Sequence, residues 1–359
     1  MGQIKHDLQD LVAFHYLEAN QPPPHSPGAN CLYAHIDMDC YFVQVALLTR
    51  PELRDRPCAV ASSDSPHSEV SSCNYVARSR GVTKGVWMGR AKELCPDLVI
   101  LPYESDRIRE ISRKVVSIVL EVTPLIEIGS CDELYCDLSV FLGEGSFMSK
   151  LEWIKSFLLF VWHCRKQIET QTGCSCSIGA GHNLLMSRIA TKLAKPNGIV
   201  YIPMNESKNR LDESGVEILP GVGHVLKSQL SDIGIRTCQE LRVCDRKELL
   251  TRTVGPKTAS TLIQFANGVD SRLLSVVSEL KSVSIQLSYG VRCSNRNDVL
   301  RYLRSLCSLL ADKAAARKVQ GSKLVLKLYK KISGSTTVKH LGHGPVDILR
   351  FPFSFLHSR

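Results

Sequence analysis

The sequence predicts an α+β fold in which helices cover a sheet, followed by a helical segment and a separate α/β segment. Three observations support this prediction. Up to residue 203, strands and helices alternate in a mixed order rather than as repeated β-α units. No G-x-G-x-x-G motif supports a dinucleotide-binding fold. From residue 204 the pattern changes to short helices, and beyond residue 281 apolar and polar residues alternate again.

The first 203 residues carry most of the strand signals. Residues 1–30 end in the proline-rich run 21–28 and are predicted to be a flexible tail or extended linker. An apolar strand at 31–38 leads into a short helix that stops near Pro51. Further strands are predicted at 57–61, 98–101, 175–181 and 198–202, and helices at 90–95, 105–122, 150–172 and 183–195.

Two of the predicted strands carry acidic residues at one end. Asp37 and Asp39 lie where strand 31–38 gives way to a helix, and Asp132 and Glu133 begin a later strand. Desolvating an unpaired carboxylate costs several kcal/mol, so a compensating cation is expected, and a divalent metal ion is the usual one. Two acidic strand ends in one domain therefore predict a metal-dependent site for phosphoryl chemistry.

Residues 204–280 read as short helices joined by tight glycine turns. Gly221 and Gly223 lie in the run L-P-G-V-G-H, and the run V-G-P-K at 254–257 precedes another helix. Backbone N–H groups at such helix starts can bind a phosphate, as in helix-hairpin-helix turns that contact the DNA backbone. The alternative is an ordinary glycine turn between packed helices.

The last segment is predicted to contain a half-buried strand at 282–289, a helix at 298–316 and a strand at 323–331. In the helix, Leu300, Leu303, Leu306 and Leu310 are expected to face inward. Lys323 and Lys327 fall on one face of the last strand, which suits a sheet laid along a duplex backbone.

Charge supports the same interpretation. The net charge of +10 in 359 residues is unevenly spread, since residues 281–359 carry 15 Lys and Arg against 3 Asp and Glu. Residues 204–280 carry 10 of each, and residues 1–203 have a net charge of −2. A basic segment beside a nearly neutral remainder favours a nucleic acid as partner; the alternative is a solvated basic face that keeps the protein soluble.

The cysteines and the apolar runs bear on the compartment. The 14 cysteines include no C-x-x-C pair, and Cys58, Cys136, Cys176 and Cys307 lie in apolar strands or a helix. We interpret them as buried free thiols of a reducing compartment. No leader pattern and no apolar run near about 18 residues is present, so we expect a soluble, intracellular protein without a membrane span.

Five stretches, in their order and spacing, resemble the Y family of translesion DNA polymerases, and within it most the deoxycytidyl transferases of the reversionless type. The resemblance covers about residues 31–345. The stretches are His35-Ile36-Asp37-Met38-Asp39-Cys40-Tyr41-Phe42, Ser72-Cys73-Asn74-Tyr75-Val76-Ala77-Arg78, Ser130-Cys131-Asp132-Glu133, Ala194-Lys195-Pro196-Asn197-Gly198 and Leu219-Pro220-Gly221-Val222-Gly223-His224.

The resemblance implies a polymerase palm, small fingers, a helix-hairpin-helix thumb and a separate α/β little finger. These domains correspond to residues 31–63 and 102–203 (palm), 64–101 (fingers), 204–276 (thumb) and 281–359 (little finger), after the tail over 1–30. The segment 345–359 is short for the final helix and strand of such a domain, so we expect the little finger to be incomplete.

The resemblance also implies a metal site. Asp37, Asp132 and Glu133, with the backbone carbonyl of Met38, match the ligands of two Mg²⁺ ions, with Mn²⁺ as an alternative ion. Asp39 matches a position that is usually not a ligand, so capping of the following helix or support of the ligands is expected there. Asp137 is interpreted as structural.

Four further positions match nucleotide-binding residues. Phe42 corresponds to an aromatic ring beneath the sugar that leaves no room for a 2′-hydroxyl; the alternative is a core phenylalanine. Tyr75, Arg78 and Lys195 match residues that hold the triphosphate, where cations and a phenol donor suit a polyanion. Without the resemblance, Arg78 and Lys195 would read equally well as surface charges.

The implied function is transfer of a nucleotide, with dCTP favoured, to a primer end in nuclear translesion synthesis. Primer-template DNA and a dNTP are the implied partners. We expect no BRCT module and no domain that recruits other translesion polymerases. The alternative is a DNA-binding scaffold with reduced or lost catalysis. The absence of any arginine before Arg50 that could pair with dCTP favours this alternative, whereas the intact set of site residues opposes it. A palm-type nucleotide cyclase is disfavoured by the helix-hairpin-helix turn and the basic segment.

Overall fold

The computed structural model describes residues 1–19, 24–27, 31–139, 150–245, 247–277, 281–287, 293–332, 334 and 346–354. The chain forms two compact units, Met1–Ser278 and Glu279–Arg359. Helices and sheets occur in both units, and the predicted α+β class is confirmed. The boundaries of the predicted domains from residue 31 onward stay predictions.

A five-stranded sheet forms the centre of the first unit, with the strand order β5-β6-β1-β7-β8. Strand β1 pairs antiparallel with both β6 and β7, so it lies in the middle of the sheet. Five of its six residues, all except Asp37, are buried, as expected for a central apolar strand. The strands are β1 (Tyr33–Met38), β5 (Ile126–Ile128), β6 (Glu133–Asp137), β7 (Cys176–Gly181) and β8 (Ile199–Ile202).

Four helices pack around this sheet. The amphipathic helix α5 contacts α6, and α7 contacts β1, β7 and β8. The buried side chains of α5 include Ile108, Ile111, Val115 and Val119, the residues that share its apolar face in the sequence. The helices are α1 (Gly2–Glu18), α5 (Ser105–Leu120), α6 (Lys150–Thr172) and α7 (Leu184–Ala194).

Helix α1 corrects one prediction. The flexible tail predicted over 1–30 is wrong for Gly2–Glu18, which form a helix that contacts α5 and β5. Ile4, Leu8 and Val12 are 3%, 1% and 0% exposed in the main core. Their spacing of four residues gives α1 a buried stripe that the proline-rich run after it obscured. Of that run, residues 21–23 and 28 lie outside the described residues.

A second, three-stranded sheet with the order β3-β2-β4 and its own apolar core joins residues of the first predicted palm segment to the predicted fingers. Its strands are β2 (Cys58–Val60), β3 (Ser72–Cys73) and β4 (Val99–Leu101), and the neighbouring helices are α2 (Tyr41–Leu47), α3 (Tyr75–Ser79) and α4 (Met88–Leu94). Asn74 caps α3 by accepting a hydrogen bond from the Ala77 amide. The motif that carries Tyr75 and Arg78 therefore starts a short, capped helix.

Residues 204–277 are helical, as predicted. Their core includes Leu185, Met186 and Ile189 of α7, so the helices are joined to the central sheet through that helix. Each glycine turn of the sequence precedes a helix, α9 or α12. The helices are α8 (Ser207–Asp212), α9 (His224–Asp232), α10 (Cys238–Arg242), α11 (Lys247–Val254) and α12 (Pro256–Ala266).

The second unit contains α13 (Arg296–Ala315) and an antiparallel pair of strands, β9 (Lys323–Lys331) and β10 (Val346–Ser354). The strand predicted at 282–289 is wrong over 282–287, which form no regular structure, and its last two residues lie outside the described residues. The expectation of an inward face on α13 holds only in part: Leu303, Leu306 and Leu310 are half-buried, but Leu300 is 40% exposed and no residue of the helix is fully buried. Residues 346–354 form a strand in the segment expected to be too short for a final helix and strand together.

Two further predictions concern the burial of the cysteines and the absence of a membrane-spanning helix. Ten of the 14 free cysteines are buried, including Cys58, Cys136 and Cys176, but Cys307 is exposed on α13, contrary to the prediction. Throughout the part of the chain that the structure describes, no helix is both long enough and apolar enough to span a bilayer.

Candidate active site

The pairing of β1 with β6 places the predicted acidic ligands side by side. Asp37 is the direct antiparallel partner of Glu133. The Met38 amide donates a 2.9 Å hydrogen bond to the carbonyl of Asp132, the residue that precedes β6. Side chains of direct cross-strand partners are neighbours on one face of a sheet. The two acidic strand ends, 95 residues apart in sequence, therefore form one site.

Lys195 neutralises the β1 side of this site. Its ammonium group donates to Asp37 Oδ1, lies 3.4 Å from the Met38 carbonyl oxygen and lies 3.9 Å from Asp39 Oδ1. Burial raises the pKa of the Asp37 carboxyl above its usual range, although the charge of Lys195 acts in the opposite direction. Lys195 thus contacts both β1 groups that were predicted to bind metal.

Arg188 neutralises the β6 side. Its guanidinium lies 3.3 Å from Glu133 Oε2 and donates a 3.0 Å hydrogen bond to the Tyr135 hydroxyl. His35 Nε2 lies 3.5 Å from the same carboxylate oxygen and makes no hydrogen bond of good geometry to any described residue. Burial would raise the pKa of Glu133, but His35 and Arg188 outweigh it and hold that pKa below its usual range.

The donor set suits a magnesium ion. Within the described ranges, no three His, Cys, Asp or Glu side chains converge into a preformed metal site. The carboxylates of Asp37 and Glu133 instead form ion pairs with Lys195 and Arg188. The groups themselves are carboxylate and carbonyl oxygens at two adjacent strand ends, which is the hard-oxygen chemistry that Mg²⁺ prefers. Asp37, Asp132, Glu133 and the Met38 carbonyl could therefore hold the ions after a side-chain rearrangement.

Asp39 is a buried carboxylate that links several segments of the site through hydrogen bonds. It is 2% exposed, and its carboxylate accepts hydrogen bonds from the hydroxyls of Ser175, Ser177 and Tyr75 and from the amide of Asn197, at 2.8–3.4 Å. It does not cap α2, whose N-cap residue is Cys40 and which has no side-chain cap. With four donors from three other segments, Asp39 supports neighbouring residues rather than facing an ion.

The predicted nucleotide-binding residues lie around Asp39. Tyr75 reaches it at 3.4 Å, and the Arg78 guanidinium lies 4.7 Å from the centre of the Tyr75 ring. Burial, with the nearby charge of Asp39, raises the pKa of the Tyr75 hydroxyl, so it stays a hydrogen-bond donor. Phe42 is half-buried against Tyr103, with ring centres 5.5 Å apart, so part of its ring remains accessible.

The predicted DNA-binding residues lie elsewhere. Gly221 has φ of +88°, a conformation that favours glycine, and Gly223 precedes α9; among described atoms, a Cβ at either position would meet nothing within 4 Å. The amides of Val222 and Gly223 bond within the turn, but the start of α9 has no side-chain cap among the described residues, so its first amides can bind a phosphate. In the second unit, Lys323 and Lys327 are exposed on β9, and Lys327 lies directly opposite Arg350 of β10.

Sequence reasoning missed Arg188, His35 and the hydrogen-bond donors to Asp39. Arg188 lies seven residues before Lys195, about two helical turns, which puts both cations on the same side of α7 and its end. That spacing was a usable signal. The partners of Asp39 lie up to 158 residues away, and only the strand order brings them together.

Comparison with known proteins gives a consistent result. The model of the impB/mucB/samB family matches residues 36–192, and the model of its C-terminal domain matches residues 280–350. Between them, residues 217–270 match a model described as DNA polymerase-iota, thumb domain. The fold is similar to that of a solved Y-family DNA polymerase chimera (Dbh-Dpo4(243-245)-Dbh), with a TM-score of 0.68 and 21% identity over 91% of this chain and 88% of the other.

Several curated relatives agree. The chain is 36% identical to the DNA repair protein REV1 of Arabidopsis thaliana and 30% identical to Rev1 of Drosophila melanogaster, over 88% and 89% of its length. It spans 28% and 37% of those two proteins. It is also 32% identical to DNA polymerase IV of Shewanella sp. (strain ANA-3), over 85% of this chain and 83% of that protein. The chain therefore belongs to the Y family of translesion DNA polymerases.

Proposed function

We propose that this chain transfers a nucleotide from a dNTP, with dCTP favoured, to the 3′-hydroxyl of a primer opposite damaged template bases. The observation that carries this proposal is the β1–β6 pairing. It brings Asp37, Asp132 and Glu133 to one place beside Tyr75, Arg78 and Lys195. Carboxylates beside a cluster of cations and a phenol suit attack of the primer 3′-oxygen on the α-phosphate of a dNTP, in which the bond to the bridging oxygen breaks and pyrophosphate leaves.

The carboxylates have the role of metal ligands in this proposal. Asp37, Asp132, Glu133 and the Met38 carbonyl would hold two Mg²⁺ ions, which would supply electrostatic stabilisation of the attacking and leaving oxygens. Arg188 and His35 keep Glu133 ionised, and an ionised carboxylate is the form that binds a cation. Mn²⁺ carries the same charge and suits the same ligands.

The cations and the aromatic rings bind the nucleotide. Lys195 would release Asp37 and bind the triphosphate in the loaded enzyme, because its flexible side chain lies among the groups that would hold the ions. Arg78 and Tyr75 approach the triphosphate from the fingers. Phe42, with part of its ring accessible beside Tyr103, excludes a 2′-hydroxyl and selects deoxyribonucleotides.

The DNA is bound by two surfaces of different kinds. The turn at Gly221 and Gly223 leads into α9, whose uncapped first amides can bind a phosphate without base contact. On the basic strand, Lys327 and Arg350 are direct cross-strand partners, and such like charges repel unless an anion lies near them. A phosphate backbone is such an anion. We propose the nucleus as the compartment in which this DNA synthesis takes place.

Single-nucleotide incorporation tests this function. Each of the four dNTPs is offered with Mg²⁺ opposite each template base, and dCTP is expected to be incorporated fastest whichever base is in the template. Watson–Crick selection would contradict the dCTP preference and leave a general translesion polymerase. Primer-template binding without incorporation of any dNTP would support the alternative, a DNA-binding scaffold of translesion synthesis.

A further inference from the structure

The β5–β6 loop, residues 129–132, carries Asp132 and leads directly into Glu133. Three of its carbonyl groups are held by three different elements. The Met38 amide of β1 binds the Asp132 carbonyl at 2.9 Å, and the Ser112 hydroxyl of α5 binds the Cys131 carbonyl. The third, the Gly129 carbonyl, accepts a 2.8 Å hydrogen bond from the Lys5 ammonium of α1. This last bond involves a charged donor, the stronger kind of hydrogen bond.

Gly129 lies directly against the side chain of Glu133. A Cβ at residue 129 would lie 2.9 Å from Glu133 Cγ and 3.1 Å from Glu133 Oε1, too close for any other residue without rearrangement. The amides of Gly129 and Ser130 both donate 3.0 Å hydrogen bonds to the Glu133 carbonyl. A shift of Gly129 therefore moves both the backbone and the side chain of Glu133.

Helix α1 is firmly placed, so Lys5 acts from a fixed support. Ile4 and Leu8, on either side of Lys5 in the helix, are buried in the main core. Asp7 lies 4.0 Å from the guanidinium groups of Arg109 and Arg113 on α5. Leu8 also lines a small internal cavity under the loop, together with Asp132 and Glu133. Cys131 Sγ lies 3.8 Å from Met1 Sδ, a second contact between α1 and the loop.

We infer that Lys5 is a positioning residue for the catalytic carboxylates: it holds Gly129 against Glu133 and so sets the geometry in which Asp132 and Glu133 bind divalent cations. This inference rests on the proposed metal role of those two residues. Groups that orient a metal ligand without touching the ion commonly change affinity or activity about 10- to 100-fold. Lys5 acts through one further residue, so a smaller effect is expected.

The test compares Lys5→Met with the wild type. The Mg²⁺ concentration that gives half-maximal primer extension is expected to rise about 3- to 10-fold. Mn²⁺ binding, measured by electron paramagnetic resonance with a dideoxy-terminated primer-template and dCTP, is expected to weaken by the same factor. Hydrogen exchange at the Gly129 and Ser130 amides is expected to become about 10-fold faster, because Gly129, which carries one of these two donors and precedes the other, is no longer held in place.

Two variants serve as controls. Lys5→Arg keeps a charged donor and is expected to restore all three readouts to within about 2-fold of wild type. Asp10→Asn makes a charge change of the same size at an exposed position of α1 and is expected to change none of them. If Lys5→Met lowers the melting temperature by more than about 3 °C, Lys5→Gln, one bond shorter than lysine, takes its place.

Wild-type values of Mg²⁺ requirement and amide exchange in the Lys5 variant would overturn the inference. An Asp132→Ala variant run in parallel separates this failure from that of the proposed function. If Asp132→Ala extends primers normally, the metal assignment fails, whereas if it is inactive and the Lys5 variant behaves as wild type, only the inference on Lys5 fails. Amide exchange at Gly129 and Ser130 decides the role of Lys5 in both cases.

Discussion

The candidate site in the first unit has buried, paired charges, whereas the basic strand in the second unit has exposed charges next to like charges. Around Asp39, one buried carboxylate accepts four hydrogen bonds, and Asp37 and Glu133 each have a cationic partner. On β9, Lys323 and Lys327 are exposed, and the nearest cross-strand partner of Lys327 is another cation. A reaction centre needs fixed geometry, whereas binding to a phosphate backbone needs accessible charge.

The largest effect on stability is expected at the most constrained residue. Asp39→Ala removes the acceptor of Ser175, Ser177, Tyr75 and the Asn197 amide, so it should destabilise the first unit by about 3 kcal/mol. Primer extension should fall about 100-fold, since Tyr75 and the segment next to Lys195 lose their anchor. Thermal unfolding and single-turnover incorporation measure the two quantities.

The control for Asp39 is Asp106→Ala, which removes a carboxylate that is 98% exposed. It is expected to leave both quantities unchanged. A melting temperature of Asp39→Ala within about 2 °C of the wild type would show that the buried network does not stabilise the site.

A moderate effect is expected on the basic strand. Lys323→Ala with Lys327→Ala should weaken primer-template binding about 10-fold at low salt and reduce the slope of log K against log salt by about 2. Incorporation at saturating DNA should not change, because these charges take no part in the chemistry. Fluorescence anisotropy over a range of salt concentrations measures the slope.

Lys330→Ala is the matched control, since residue 330 lies on the other face of the same strand. Its salt slope should stay closer to wild type than that of the double variant. An equal loss from Lys330→Ala would mean that the charge of the segment, and not one face of the strand, binds the DNA.

The smallest effect concerns the thiols and leaves function unchanged. Cys293 and Cys307, both in the second unit, are exposed, whereas burial raises the pKa of Cys131 and of Cys176 to about 12. A colorimetric disulfide reagent at pH 8 should therefore modify Cys293 and Cys307 first, and Cys307→Ser should remove one of these fast-reacting thiols. Fast reaction of Cys131 or Cys176 would contradict the contrast in burial between the units.

The sequence predicted the elements of the first unit well because their apolar periodicity is strong, as in α5 and β1. It failed for α1, where three buried residues in a mixed-polarity helix gave a weak signal next to a proline-rich run. It also failed at 282–287, where alternation alone does not supply a strand partner. Periodicity reports on local burial, so it cannot show which segments meet.

The same limit applies to the site. The resemblance named Asp37, Asp132, Glu133 and Lys195, and the strand order brings all four together. It did not name Arg188, whose partner Glu133 lies 55 residues away on another element. Nor did it show that the buried Asp39 carboxylate accepts four hydrogen bonds from other segments. Ion pairs and hydrogen bonds between distant segments depend on the folded topology, which no local pattern encodes.

The most direct test of the central claim is single-turnover dCTP incorporation by Asp132→Ala with Glu133→Ala, measured beside primer-template affinity. The account predicts a rate at least about 1,000-fold below wild type, equivalent to about 4 kcal/mol in the barrier, with DNA affinity within about 2-fold. Incorporation within about 10-fold of the wild-type rate would contradict the assignment of the β1–β6 strand ends as the reaction centre.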